Sequence, residues 1–185
     1  MEFRLTYRGP LRANAGPADK QAIRRVLHGQ MRLLWEQHPL LDYQGYLTDQ
    51  PEQEAIGVIQ GVGKFRLAPL VTERLNLTAE LDITFLRPEA PGALLTQGGD
   101  IDNRLKTLFD ALRMPRVPNE IPVGDAPRKG EDPLFCLLED DNLVTSVAVT
   151  TDRLLEAVEN PAEVLLVIHV RTRGTKVTYG NIGLL

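Results

Sequence analysis

From Leu75 to Phe85 the chain alternates without a break: Leu75, Leu77, Ala79, Leu81, Ile83 and Phe85 are apolar, and Asn76, Thr78, Glu80, Asp82 and Thr84 between them are polar. Side chains of an extended chain point alternately to opposite faces, so this spacing specifies a long β-strand with one dry face and one wet face. A sheet built on it must have something packed over its apolar side. Pro88 and Pro91-Gly92 end the strand, because proline cannot continue a hydrogen-bonded ladder.

The remaining segments supply the other parts of such a sheet. Phe3-Arg-Leu5-Thr-Tyr7 alternates in the same way, and Gly9-Pro10 stops it. Between about Asp19 and Gln37, Ile23, Val26, Leu27, Met31 and Leu34 recur at helical spacing, with Lys20, Arg24, Arg25 and His28 expected on the opposite face. Ile56-Gly57-Val-Ile59-Gln-Gly61-Val-Gly63 lacks the third glycine and the following helix of a dinucleotide site, and reads as a hairpin turn or bulge before Phe65-Arg-Leu67. Val144 to Val149 is β-prone, and Thr150-Thr151-Asp152 offers caps for a short helix from Arg153 to Val158, ahead of Asn160-Pro161. Val164 to Val170 is a continuous apolar run, expected as a central strand covered on both faces, with His169 as a satisfied core histidine. The order strand, helix, strands, helix, strand, helix, strand specifies an α+β domain: a mixed, mainly antiparallel sheet with helices packed against one side. A chain of 185 residues fits one such domain.

Chemistry concentrates in Asp100-Ile-Asp102-Asn103-Arg-Leu-Lys106-Thr-Leu-Phe-Asp110-Ala-Leu112. Ile101, Leu105, Leu108, Phe109 and Leu112 form one stripe of a helix and leave Asp102, Lys106 and Asp110 on the polar side. Asp100 precedes the helix in a turn after Gly98-Gly99. Two readings are open. Carboxylates converging at a helix start, with a lysine one turn on, suit a divalent-metal site acting on phosphate. Alternatively, the acids cap the helix and Asp102, Lys106 and Asp110 make a solvated ion-pair ladder. An EF-hand is excluded, because its sixth loop position is Leu105 and its twelfth is Ala111.

A second acidic group, Glu139-Asp140-Asp141, follows the apolar run Leu134 to Leu138 and precedes the β-prone segment, which puts it at the mouth of a strand. Read together, Asp-x-Asp-Asn-x-x-Lys-x-x-x-Asp-Ala-Leu and the later Asp-Asp-x-x-Val resemble the RusA family of Holliday junction resolvases over roughly residues 75–150. The resemblance implies a RusA-like nuclease fold with Asp100, Asp102, Lys106 and Asp141 as the catalytic residues. It implies one or two Mg²⁺ ions on Asp100, Asp102 and Asp141, with Lys106 balancing charge on the reacting phosphate or orienting the water. Asn103 would position a metal ligand, and Asp140, Glu139 and Asp110 would support the ligands from behind. The activity implied is a Mg²⁺-dependent endodeoxyribonuclease of recombination and repair: a cytoplasmic homodimer that nicks opposed strands of a four-way DNA junction. The interval between the two motifs is roughly twice that of the family pattern. The extra length is Met114 to about Pro133, an inserted loop rich in proline, glycine and charge. Arg116, Arg128 and Lys129 make it a flap over nucleic acid or a plain surface insertion.

Pro10 to Pro17 reads as a loop; the family has a proline- and asparagine-containing segment near its site, which marks Arg12 and Asn14. With Lys20, Arg24 and Arg25 these are the candidate nucleic-acid contacts. The formal charge of −4 argues mildly against such a partner, but residues 1–38 carry seven cations, Arg4, Arg8, Arg12, Lys20, Arg24, Arg25 and Arg32, against Glu2, Asp19 and Glu36. No apolar run is long enough for a membrane span and no signal sequence is present, so the expectation is a soluble, intracellular protein. Cys136, the single cysteine, has apolar neighbours and reads as a buried structural thiol. A Ser/His/Asp hydrolase is poorly supported, since Ser146, the only serine, lies within a β-prone segment. Two rivals remain: a nuclease for another branched DNA or RNA, and a non-catalytic nucleic-acid-binding or regulatory protein on the same scaffold.

Overall fold

The structure is a computed structural model and describes residues 1–50, 56–88 and 101–185. In chain order its elements are β1 (Glu2–Pro10), α1 (Pro17–Trp35), β2 (Gln60–Val62), β3 (Phe65–Val71), β4 (Leu77–Arg87), α2 (Ile101–Leu112), β5 (Leu134–Leu138), β6 (Val144–Arg153) and β7 (Glu163–Gly174). Short 3-10 turns cover Leu40–Tyr46, Pro118–Glu120, Asp141–Leu143 and Ile182–Leu184. The alternating segment is β4, with Leu77, Ala79, Leu81, Ile83 and Phe85 all buried. Its neighbours are antiparallel β7 and parallel β6, and β1 adds to the far side of β7, giving the order β1-β7-β4-β6. The other strands form a separate small sheet, β2-β3-β5, so the expected single sheet is two. Within it β2 and β3 make the hairpin expected around Gly63, whose φ of +59° suits glycine, while β5 runs parallel to β3. The fold is α+β, with mixed, mostly antiparallel pairing.

The dry face of the larger sheet is closed by α1 and α2. Leu5, Tyr7, Leu81, Ile83, Phe85, Leu166 and Ile168 meet Ile23, Leu27, Met31, Leu108 and Leu112 in one cluster. Each such side chain contributes about 1.5–3 kcal/mol on leaving water. A second cluster of Val62, Phe65, Leu67, Leu134 and Cys136 is sealed by Met114 and Ile121 from the proline-rich segment. Burial drives the Cys136 thiol up to about 11, consistent with an inert structural cysteine. Among the described residues no helix is long and apolar enough to cross a membrane.

The segment after α2 is not a plain surface excursion; it straps down the polar face of α1. Arg25 donates to Asp125 at 3.0 Å, to Glu131 at 2.9 Å and to the Ala126 carbonyl at 3.1 Å. His28 is buried beneath the strap, stacked on Phe135 with ring centres 5.8 Å apart. The Phe135 N–H donates to His28 Nδ1 at 3.0 Å, so the ring proton sits on Nε2, which donates to the Gly130 carbonyl, also at 3.0 Å. Arg24 is 2 % exposed, as deep as any apolar residue. Helical periodicity marks a face as apolar or polar, and here a charged face is buried because later chain supplies partners for each charge.

Other expectations are corrected by tertiary pairing. There is no helix from Arg153 to Val158: β6 runs on through Thr150, Thr151 and Asp152 to Arg153, because this segment pairs in register with Thr84 to Arg87. The β7 run is central but covered on one face only, since its burial alternates residue by residue. His169 therefore lies on the outer face, where its Nε2 is 3.2 Å from Glu2, and is not a core histidine. On α1, Val26 is exposed, and on α2 the buried line includes Arg104, Thr107 and Ala111 beside Leu108 and Leu112.

His28 gives the strap a pH signature. Burial holds its imidazole below the ordinary value, with the Gly130 carbonyl opposing. The unfolded chain then binds the proton first, so stability from this ring is complete above the ordinary histidine value near 6.5 and is lost as pH falls below it. His28→Gln should lower the melting temperature at pH 7.5 by roughly 5 °C, for ~2 kcal/mol of lost buried hydrogen bonding. The gap from wild type should narrow between pH 7 and pH 5, measured by calorimetry.

Candidate functional site

The loop before α1 and the polar side of α2 meet in a cleft of about 230 Å³, lined by Asn14, Ala15, Lys20, Asn103, Lys106, Thr107 and Asp110. Asn14 turns the loop with φ +52°, a left-handed conformation that asparagine tolerates better than most residues. The next residue is pinned to α2, its N–H donating to Thr107 Oγ1 at 3.2 Å. Gly16-Pro17 then starts α1, proline being suited to the first helical position where no N–H is needed. One turn on, Lys20 donates to Asp110 at 2.7 Å across the two helices.

Asp110 also accepts from Arg113 at 3.3 Å, and Arg113 grips Glu120 with both terminal nitrogens, at 2.8 and 3.1 Å. The hydrogen bond from Arg113 is the main reason the Glu120 carboxyl is held below its ordinary value. Glu120 in turn accepts from the Arg116 N–H at 3.0 Å. A chain of charges thus runs from α1 through the end of α2 to the first turn of the strap. Lys106 stands apart: it is exposed and, among the described residues, forms no ion pair with Asp102 or Asp110. Asp102 is exposed too, and among the described residues it accepts only the adjacent Asn103 N–H at 2.8 Å. The ladder of Asp102, Lys106 and Asp110 is not formed; the cap reading falls on Asp100, outside the described residues.

The second acidic group stands on the turn between β5 and β6, and α2 packs against that turn. Its three acids differ in what they do. Glu139 points away, accepting from Gln60 and from the Glu73 N–H at 3.0 Å, and ties the strand end to the small sheet. Asp140 caps the turn by accepting the Asn142 N–H at 3.0 Å. Partial burial pushes its carboxyl up, but the Asn142 N–H, Asp141 and Arg116 outweigh this and hold it below the ordinary range. Asp141 is half exposed. Arg116 Nη2 bridges Asp140 and Asp141, at 2.9 Å from the latter.

Sequence-derived candidates are therefore divided. Asn14, Lys20, Asn103, Lys106 and Asp110 share the cleft, while Asp140 and Asp141 lie on the turn beside α2. Asp100, Gly98-Gly99 and Pro91-Gly92 lie outside the described residues. Arg24 and Arg25 are removed from the candidate nucleic-acid contacts, because one is buried and the other is held by Asp125 and Glu131. Arg12 is exposed beside Asp19 at 3.4 Å. Arg113, Glu120 and Thr107 carry the local architecture without any sequence signal, since each acquires its role from a partner distant in the chain or from a helix end. Among the described residues no three His, Cys, Asp or Glu side chains converge to hold a metal ion. Asp102 and Asp141 offer hard oxygen donors of the kind Mg²⁺ takes, and a guanidinium already rests between Asp140 and Asp141 as a stand-in cation. No family model matches the chain, and no curated protein or solved structure matches it.

The divided roles on α2 are checked by stability. Lys106→Ala should leave unfolding free energy within about 0.5 kcal/mol of wild type, as an exposed unpaired lysine requires. Asp110→Ala should cost ~1–3 kcal/mol by denaturant titration, because it leaves Lys20 without its carboxylate in a partly buried site and removes one of the two carboxylates that hold Arg113.

Proposed function

We propose that the protein is a Mg²⁺-dependent endonuclease acting on branched DNA, with four-way junctions as its substrate, in the manner of the RusA-like enzymes its motifs resemble. The observation that carries this reading is the packing of α2 against the Asp141–Leu143 turn. The helix that carries the first motif and the turn that carries the second are thereby in contact, which supports reading the two motifs as parts of one site. Lys106 and Asn103 face the cleft between α2 and the Asn14 loop without being consumed by structural ion pairs.

In this reading Asp102 and Asp141, with Asp100, hold the metal, and Asp140 keeps the turn in shape through the Asn142 N–H. Bound Mg²⁺ would supply an acidified water and charge to offset the leaving oxygen. Lys106, a flexible point charge at the cleft, neutralises the extra negative charge on the phosphate undergoing attack. Asn103 orients a carboxylate or a phosphate oxygen. Lys20 and Asn14 line the far side of the cleft, where a neighbouring phosphate of the strand can rest.

A junction presents two equivalent strands, which calls for a two-fold dimer. The β6 edge supports one. Val144 to Thr151 carries no charge and no proline, the usual guards of an open edge, and Thr145 to Ala148 are exposed. Antiparallel pairing of two β6 strands about Val147–Ala148 also brings Arg153 of each copy toward the acidic Asp140–Asp141 turn of the other. Sedimentation velocity should give a dimer for wild type and a monomer for Ser146→Lys/Ala148→Lys.

The activity is tested on a labelled synthetic four-way junction and a matched linear duplex, with Mg²⁺ or EDTA. Symmetric, metal-dependent nicks on the junction are expected, with a loss of at least a hundredfold in both Asp102→Asn and Asp141→Asn. Nicking at wild-type rate by both variants would remove these residues from the site. Intact junction binding with no cleavage under any condition would make the protein a binding module.

A further inference from the structure

Arg116 is the residue whose placement the nuclease reading leaves unexplained. It belongs to the strap, twenty-five residues before Asp141, yet its guanidinium lies across Asp140 and Asp141. Its backbone is fixed, because its N–H donates to Glu120 and Glu120 is clamped by the largely buried Arg113. The side chain beyond is about half exposed, as is Asp141, while Asp140 is 23 % exposed. A solvent-exposed ion pair is weak, so this contact is exchangeable while its anchor is not. The neighbouring cations differ: Lys20 and Arg113 are in partly buried pairs with Asp110, and Lys106 faces the cleft.

Resting on the metal-nuclease reading, we propose that Arg116 is an exchangeable counter-ion. It neutralises Asp140 and Asp141 while the site lacks metal, is displaced when a divalent cation binds, and then contacts a substrate phosphate beside the site. The hand-over is chemically consistent. Two adjacent carboxylates left bare repel each other and a DNA strand alike, so a resident cation keeps the turn intact and lets DNA approach. A divalent cation offers those oxygens more charge in less space than a guanidinium. The guanidinium it releases, tethered within a side chain's length, matches the fork geometry of a phosphate.

The test compares wild type, Arg116→Gln and Asp141→Asn in two measurements. Mn²⁺ titration, followed by the electron paramagnetic resonance of free Mn²⁺, should show Arg116→Gln binding about three- to fivefold tighter than wild type, the fold-change matching loss of an exposed competing pair. Asp141→Asn should lose the site. Junction affinity, measured against salt in Ca²⁺ in place of Mg²⁺, should fall less steeply for Arg116→Gln by about one phosphate contact, with no difference in EDTA. Equal or weaker Mn²⁺ binding by Arg116→Gln, or a slope difference that persists in EDTA, overturns the exchange while leaving the metal site standing. Absence of Mn²⁺ binding in folded wild type and in Arg116→Gln overturns the metal-dependent reading and the exchange with it.

Discussion

The Arg24 guanidinium organises the site from inside. It donates to the carbonyls of Asp110 and Arg113 at 2.8 and 3.2 Å and to Gln21 on its own helix. Carbonyls in the last turn of a helix lack intrahelical partners and carry the negative end of its dipole, so a cation there is doubly favourable. The burial cost of that cation is offset because each of its three nitrogens donates a hydrogen bond. The consequence is geometric. With α1 locked to the end of α2, the Asn14 loop, Lys20 and the Lys106 side of α2 face one another, and the chain leaving α2 is aimed past the Asp140–Asp141 turn.

The strap depends on the same joint. Arg113 and Met114 leave α2 beside β5, where the Met114 N–H donates to the Leu138 carbonyl at 2.9 Å. Glu120, Asp125 and Glu131 then take successive cations of the helix ends and of α1. A segment with five prolines has no ladder of its own to satisfy its backbone, and it is ordered here by side chains reaching into it. Ordering it places Arg116 at the site. Thus an element that looks dispensable by length is joined to the candidate chemistry through a continuous line of ion pairs.

Legibility followed the range of the interaction. β4, β1 and both helices were readable because alternation and 3.6-residue spacing are local consequences of which face meets the core. The hairpin at Gly63 was readable for the same reason. The partition into two sheets was not, because nothing in β3 or β5 alone distinguishes pairing with each other from pairing with β4. The supposed helix at Arg153 had good caps, but nine residues of parallel register with β4 outweigh a cap contributing about 1 kcal/mol. At the site, Lys106 and Asn103 were readable as polar helix positions beside the cleft. Arg24 and Arg25 misled because periodicity treats any charged face as wet, whereas their partners, Asp110, Arg113, Asp125 and Glu131, lie 86 to 106 residues away.

The same pairing explains how an acidic chain is compatible with a polyanionic partner. Formal charge counts all 21 lysines and arginines alike, yet Arg24, Arg25 and Arg113 are consumed inside the fold. In the proposed reading, what a DNA strand would meet is the local balance at the cleft and the turn. There Lys106 is open to solvent, Lys20 half offsets Asp110, and Arg116 cancels much of the field of two carboxylates. Within a Debye length of about 8 Å at physiological salt, distant acids on the outer sheet face are screened and these few groups set the potential. An overall charge of −4 then describes how the protein behaves in bulk solution, while the approach of a phosphate, in the proposed reading, would be governed by four or five side chains whose positions descend from Arg24 and the strap.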